Sequence, residues 1–281
     1  MEGPEGSPFL LGGRPVEELD RSRGGGGRHR VVKASFGGIP VVVKCYGPKA
    51  GPVRTAFRRF GSRFLVGKSS VTPVGRRETE RAVLRLWRRE GFDVPALVEE
   101  AAFPELEGTP YLVMEWIEGP TLERFLADPS VPPERKEAAV ARFAPILARR
   151  HARALALGEP ALLFENPTFN HVFLSGDRLV HHDFEIVFRR RRGLERLVRR
   201  EIVGFLCSLA KAASGRFPSL LRVLVEGYPD RGILARTAGE LARYGGIPLF
   251  PWLGPLTMLL HRSERRRRRA PVATALERVL E

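Results

Sequence analysis

Three valines run straight into a lysine at Val41-Val42-Val43-Lys44, and that junction narrows the fold before anything else does. A β-branched run of this kind fits a buried strand. The ammonium at its end is held at the edge of an apolar sheet and needs an anion, either a carboxylate or a phosphate. The helical pattern that follows, Arg76 to Glu90, offers two carboxylates. Val83, Leu84 and Trp87 recur at spacings of three and four and mark its apolar face. Glu80 falls on that face, whereas Glu78 shares a face with Arg81 and Arg85, so Glu80 is the expected partner of Lys44. The competing reading is a lysine that snorkels out of a strand end and a glutamate at a helix margin.

Around this junction the elements fall in a definite order. Arg28 to Tyr46 reads as a β-hairpin, with strands at Val31 to Phe36 and Pro40 to Tyr46 and a turn at Gly37-Gly38. A glycine run, Gly24 to Gly27, precedes it, and the basic, irregular segment Ala50 to Gly75 reads as an insertion or connection. After the Arg76 helix come extended segments, Tyr111 to Ile117 the clearest, and a break at Gly119-Pro120. Beyond the break the pattern is helical at Leu122 to Ala127, Pro133 to Leu157 and Leu194 to Ala213. Two short strands, Val172 to Leu174 and Arg178 to Val180, flank the turn Ser175-Gly176-Asp177. No internal repeat is present. Strands first and helices after imply an α+β, two-lobed architecture, with an N-terminal lobe over 1–118 and a helical C-terminal lobe over 119–281.

Composition sets the surroundings. The 281 residues can bury a substantial core without disulfides. Cys45 and Cys207, far apart in apolar surroundings, read as reduced thiols with no disulfide partner, as in a cytoplasmic protein. Met1 to Pro15 lacks the pattern of a secretory signal. The apolar stretch Ile247 to Leu260, cut by Pro248, Pro251 and Pro255, is too short to span a bilayer. A net charge of +15, mostly arginine, predicts an attraction for phosphates. The run Arg265 to Arg269 follows the apolar stretch and could also rest on the anionic inner face of a membrane. Nucleic acid is disfavoured as a partner, because the basic runs carry no interleaved aromatic residues.

Taken in order, four segments carry a resemblance. Tyr111-Leu112-Val113-Met114-Glu115-Trp116-Ile117-Glu118-Gly119 looks like the hinge strand of the protein-kinase-like superfamily, and Val41-Val42-Val43-Lys44 resembles its lysine strand. Glu80 stands where its helix carboxylate stands, and Val180-His181-His182-Asp183-Phe184-Glu185 resembles its metal-binding strand end. Within the superfamily the sequence is similar to bacterial lipopolysaccharide core and related sugar kinases. That similarity rests on the lysine strand, the spacing from Glu80 to Gly91 and the following Val94-Pro95, and Asn166 to Leu174, and it covers about residues 28 to 230.

The resemblance implies an ATP-dependent kinase acting on a sugar or glycolipid hydroxyl. Glu115 and Ile117 would bond adenine through the backbone, Lys44 would grip the phosphates and Glu80 would orient it. Asp183, with His171 or Asn170, would hold Mg2+ or Mn2+. A nitrogen ligand at His171 would suit manganese or zinc better than magnesium.

Three departures qualify this. Gly24 to Gly27 is not the spaced glycine pattern of a phosphate-covering loop, so Gly25 and Gly26 either reach phosphate differently or form a linker. If His171 matches the metal-site asparagine of other kinases, Asn166 stands where the catalytic aspartate belongs; a shift by one residue pairs Glu165 with Asn170 instead. His151, which resembles the histidine ending a kinase's long helix, lies farther from Asn166 than usual, implying an insertion. A nucleotide-binding pseudokinase and a basic membrane or nucleic-acid binder without catalysis are the alternative functions. A histidine metal site at His171, His181, His182 and Asp183 is disfavoured, because strand alternation turns His182 away from its neighbours.

Overall fold

The structure, a computed structural model, describes residues 9–21, 29–47, 72–213, 215–244 and 271–281. Gly25 and Gly26, most of Ala50 to Gly75, the stretch Ile247 to Leu260 and the run Arg265 to Arg269 lie outside the described residues. The chain forms two compact units. One contains residues up to Glu118 together with Val180–Arg189; the other contains Gly119–Leu179 and residues from Arg190 onward.

In the first unit, β1 (Leu10–Leu11) pairs with β2 (Arg14–Pro15). An antiparallel sheet follows in the order β3 (Glu17–Arg21), β4 (Arg30–Phe36), β5 (Ile39–Cys45) and β6 (Tyr111–Glu115). Gly37 and Gly38 close the β4–β5 hairpin with φ of 57° and 83°, a two-residue turn that side chains resist. Alternation along β5 sends Val41, Val43 and Cys45 into a core with Val32, Ala34, Phe103 and Val113. Lys44 therefore belongs to the opposite face.

Helix α1 (Pro73–Arg89) buries Glu80, Val83, Leu84 and Trp87. It starts three residues before the apolar pattern suggests. Thr72 Oγ1 accepts a hydrogen bond from Gly75 N at 3.0 Å and Pro73 takes the first helical position, while Val74 is exposed and adds nothing to the apolar repeat.

The segment Val180–Arg189 groups with this unit rather than with its neighbours in sequence, for reasons visible in its contacts. His181 N donates to Asp93 O at 2.9 Å. The wholly buried Trp87 ring lies 4.7 Å from Phe184 and 5.3 Å from His181 between centroids.

The second unit contains α2 (Leu122–Ala127), α3 (Pro133–Leu157), β7 (Val172–Ser175), α4 (Leu194–Ala212), α5 (Phe217–Glu226) and α6 (Arg231–Tyr244). The strand β8 (Arg178–His181), paired with β7, carries the chain from this unit into the 180–189 segment. A further helix covers 271–280. Phe143, Phe169 and Phe205 cluster at 5.0 to 5.4 Å and join α3, α4 and the segment before β7 in one core. His151 lies inside α3, which continues to Leu157 and stops at Gly158 in the left-handed conformation. No helix among the described residues is long and apolar enough to cross a membrane.

Trp87 anchors both α1 and the 180–189 segment, so Trp87→Ala is expected to destabilise the protein by ~3–5 kcal/mol in urea denaturation. A loss below about 1 kcal/mol, the range of ordinary surface changes, would contradict this packing role.

Candidate functional site

Lys44 is 6% exposed, and its ammonium is surrounded by carboxylates. Nζ lies 2.8 Å from Glu80 Oε2, 2.7 Å from Asp183 Oδ1 and 3.2 Å from Glu185 Oε1. Burial alone would favour the neutral amine, but Asp183, Glu80 and Glu185 outweigh it and hold the Lys44 pKa far above its ordinary value. The Glu80 carboxyl is pushed up, first by its own burial and then by the neighbouring acids, against the pull of Lys44. Glu80 also accepts from Tyr46 Oη at 2.7 Å and from Phe184 N at 3.3 Å. Glu78 is instead bonded to the adjacent Arg77 at the surface.

Asp183 sits just beyond β8 with φ 70°, in the left-handed region that Asp tolerates better than most side chains. Strand alternation therefore does not extend to it, which corrects the placing of His181 and Asp183 on one face. His181 is buried against Trp87, while the Asp183 side chain is 40% exposed.

Two residues without an assigned role complete this cluster. Arg76, buried on the first turns of α1, donates to Glu185 Oε2 at 2.8 Å and to Gly47 O. His29 Nε2 lies 3.4 Å from Glu185 Oε1. The arginines of Arg76–Arg77 read in sequence as one basic pair, and only the helix phase separates the buried Arg76 from the half-buried Arg77.

The cluster fits a divalent cation on its own chemistry. Oxygen atoms of Glu80, Asp183 and Glu185 lie within 4.8 Å of one another. Their carboxylates are the hard oxygen donors that magnesium and manganese take, with Lys44 and Arg76 held against them.

At the hinge-like strand, Glu115 is tied to Ala96 twice: its N–H donates to Ala96 O at 2.8 Å and its Oε2 accepts from Ala96 N at 3.1 Å. Ile117, two residues on, is buried.

The second unit contains Glu165, Asn166, Asn170 and His171, and α4 holds the segment that carries them. Glu201 Oε2 accepts from Phe164 N at 3.2 Å, and Ser208 Oγ accepts from Phe169 N at 2.9 Å. A β-carbon at Gly204, between them, would run into the Pro167 ring and lie 3.0 Å from Pro167 O. Glu201 is buried and ion-paired with Arg150, which also donates to Leu162 O at 2.6 Å. Burial would raise the Glu201 pKa, but Arg150 and His151 bring it below the ordinary carboxylate value. His151 bonds Tyr228 Oη through Nδ1 at 2.9 Å. This anchoring has no local signature in sequence, because Glu201 lies far along the chain from the backbone it holds.

Asn166 and Asn170 are exposed, and His171 Nδ1 lies 2.9 Å from Asn166 O. A carbonyl only accepts, so Nδ1 carries the proton and the lone pair of the neutral ring is on Nε2. Asn166 and His171 are thus joined across five residues. Glu165 has Arg200 at 4.0 Å.

Known proteins place these features in context. The model of the phosphotransferase enzyme family, APH, matches residues 54–203. No curated protein sequence matches the chain. Among solved structures, WaaP in complex with acyl carrier protein is similar at 18% identity with a TM-score of 0.51, covering 80% of this chain and 84% of that one. The kinase domain of Mycobacterium tuberculosis PknI is similar at 18% identity with a TM-score of 0.40, covering 75% and 78%. The expected α+β, protein-kinase-like fold is thereby borne out.

If Glu80 is a buried partner and not a marginal surface acid, Glu80→Ala leaves Lys44, Tyr46 Oη and Phe184 N short of an acceptor. It is expected to cost ~3–5 kcal/mol in chemical denaturation. Glu78→Ala should stay within about 0.5 kcal/mol of the wild type. Similar losses for both would remove the distinction.

Proposed function

We propose that this chain, which belongs to the phosphotransferase enzyme family, transfers the γ-phosphoryl group of ATP to a sugar or glycolipid hydroxyl. The observation that carries the nucleotide half of this reading is the Lys44 ammonium held beside Glu80 and Asp183. The acceptor class rests on the sequence similarity to lipopolysaccharide core and related sugar kinases.

In this reading the N-terminal lobe grips the nucleotide and the helical lobe supplies the catalytic loop and the acceptor. Lys44 exchanges part of its carboxylate shell for phosphate oxygens while Glu80 and Glu185 keep it oriented. Glu115 and Ile117 offer backbone groups to adenine. Asp183 supplies an oxygen ligand for Mg2+ or Mn2+; His171, or Asn170 as the alternative, is the further ligand that the sequence resemblance implies. A divalent ion so held would neutralise phosphate charge. Asn166, or Glu165 in the shifted register, faces the acceptor hydroxyl. The bond between His171 Nδ1 and Asn166 O supports the pairing of those two residues.

Asn166 also favours a second reading. An amide cannot take the proton of a hydroxyl, so a nucleotide-binding pseudokinase is the alternative. Phosphoryl transfer depends mainly on positioning and charge neutralisation, and general-base help is typically worth ~10²–10⁴-fold, so a slow kinase is compatible with the amide.

Single-turnover incubation with γ-labelled ATP and manganese separates these readings, with label followed to acceptor and to water. Wild-type protein should release label and Asp183→Asn should release it at least ~10²-fold more slowly, as for loss of one preorganised charge. Unchanged release by Asp183→Asn would refute the proposed site. A thermal shift with ATP and manganese, but no label release, would favour the pseudokinase.

A further inference from the structure

We infer, resting on the phosphotransferase reading above, that Arg76 is a positioning residue of the nucleotide site. It fixes the spacing between the chain that carries Lys44 and the chain that carries Asp183, without touching the ligand itself. The inference comes from the first turns of α1. Arg76 is wholly buried, and its guanidinium donates to Gly47 O, three residues beyond Lys44, and at 2.8 Å to Glu185 Oε2, two residues beyond Asp183. It also lies 5.8 Å over the Tyr46 ring. One turn later, on the same side of the helix, Glu80 takes the same two segments: Lys44 Nζ and Tyr46 Oη on one, Phe184 N on the other. Residues 44–47 and 183–185 are thus tied to each other at two successive levels of one helix.

The two levels differ in what a ligand does to them. In the reading above Lys44 passes to phosphate and Asp183 to the divalent cation, so the 2.7 Å contact between them is given up. Glu80 shares the ammonium that moves, and its bond to Phe184 N is long, at 3.3 Å. Arg76 keeps its hold, because neither of its two bonds involves a group that meets the ligand in that reading. A guanidinium suits the task, since it is permanently charged and holds two acceptors in one rigid plane. A buried pair such as Arg76 and Glu185 is a weak source of net stability. Its value is geometric. Lys44 and Asp183 act on one ligand only at a matched spacing, and a misplacement of about 1 Å can cost on the order of 10²-fold.

The full-length protein can be titrated with a non-hydrolysable ATP analogue in Mn2+ and, separately, with adenosine, which engages neither Lys44 nor Asp183. R76Q is expected to bind the analogue at least about tenfold more weakly than the wild type, as for loss of a hydrogen bond to a charged group. Its affinity for adenosine should stay within about twofold of the wild type, a difference that a merely structural role would not produce. R76K keeps the charge without the planar fork and should lose about threefold for the analogue, as for one ordinary hydrogen bond. This variant carries the test if R76Q does not fold. R77Q, on the same helix with its side chain bonded to Glu78, serves as the control and should match the wild type. Unchanged binding of the analogue by R76Q, or an equal loss for adenosine, would overturn the inference. So would R76K equal to the wild type, since charge alone would then account for the effect. Wild-type protein that does not bind the analogue in Mn2+ would instead refute the nucleotide reading, and this inference with it.

Discussion

One ammonium organises the first unit. Lys44 is placed by β5 on the side of the sheet away from the Val41, Val43 and Cys45 core, and it cannot be buried there without anions. Glu80 reaches it from α1, and Asp183 and Glu185 from a segment more than a hundred residues away in sequence. The sheet, the helix and the 180–189 segment are therefore tied by charge as well as by the packing of Trp87 on Phe184. An interaction of this kind is a weak source of net stability, since desolvation offsets most of the Coulombic gain. It is a strong source of position, because each carboxylate has few alternatives once water is excluded. Part of the cost is visible at Asp183, which is held in a left-handed backbone conformation worth of order ~1 kcal/mol of strain.

A different device positions the segment Phe164 to Phe169 of the second unit. Its backbone N–H groups at Phe164 and Phe169 are taken by side chains of one helix, and the buried pair of Arg150 and Glu201 fixes the first of them. Both units thus use a buried carboxylate as a fixed acceptor: Glu80 for Phe184 N, Glu201 for Phe164 N. In each case a neighbouring cation, Lys44 or Arg150, balances the charge of the acid, so a loop adjacent to the proposed chemistry is held by groups that do not themselves move protons.

The α+β order of elements was legible in the sequence because its signals are local: two valine-rich strands around Gly37-Gly38, apolar spacing in α1, and a helical remainder. Lys44 and Glu80 were legible for a related reason, since each breaks a local pattern, an ion ending an apolar strand or an acid on an apolar face, whereas Asp183 stood out only through the resemblance of Val180 to Glu185 to a kinase strand end. Arg76, His29 and Glu201 were not. Each looks like an ordinary polar residue until the fold brings a partner from far along the chain, and arginine is so common here that a buried one does not stand out. The start of α1 was missed because a Thr72 cap followed by an exposed turn carries no apolar period. Residues 180–189 could not be assigned to the first unit by position in the chain, as their membership follows from contacts with Asp93, Trp87 and Lys44.

The meeting of Gly204 with Pro167 has a consequence for how such a chain can vary. Between Phe164 and Phe169 the backbone is matched to two turns of helix at both ends and has no slack, so one residue gained or lost there would unseat every contact at once. Upstream, from Gly158 to Leu163, the chain leaves the end of a helix through a short 3-10 turn and meets no such template. Differences in length among relatives should collect in that upstream stretch, and a lengthened approach to an unaltered helix-held segment is the form that such divergence would take.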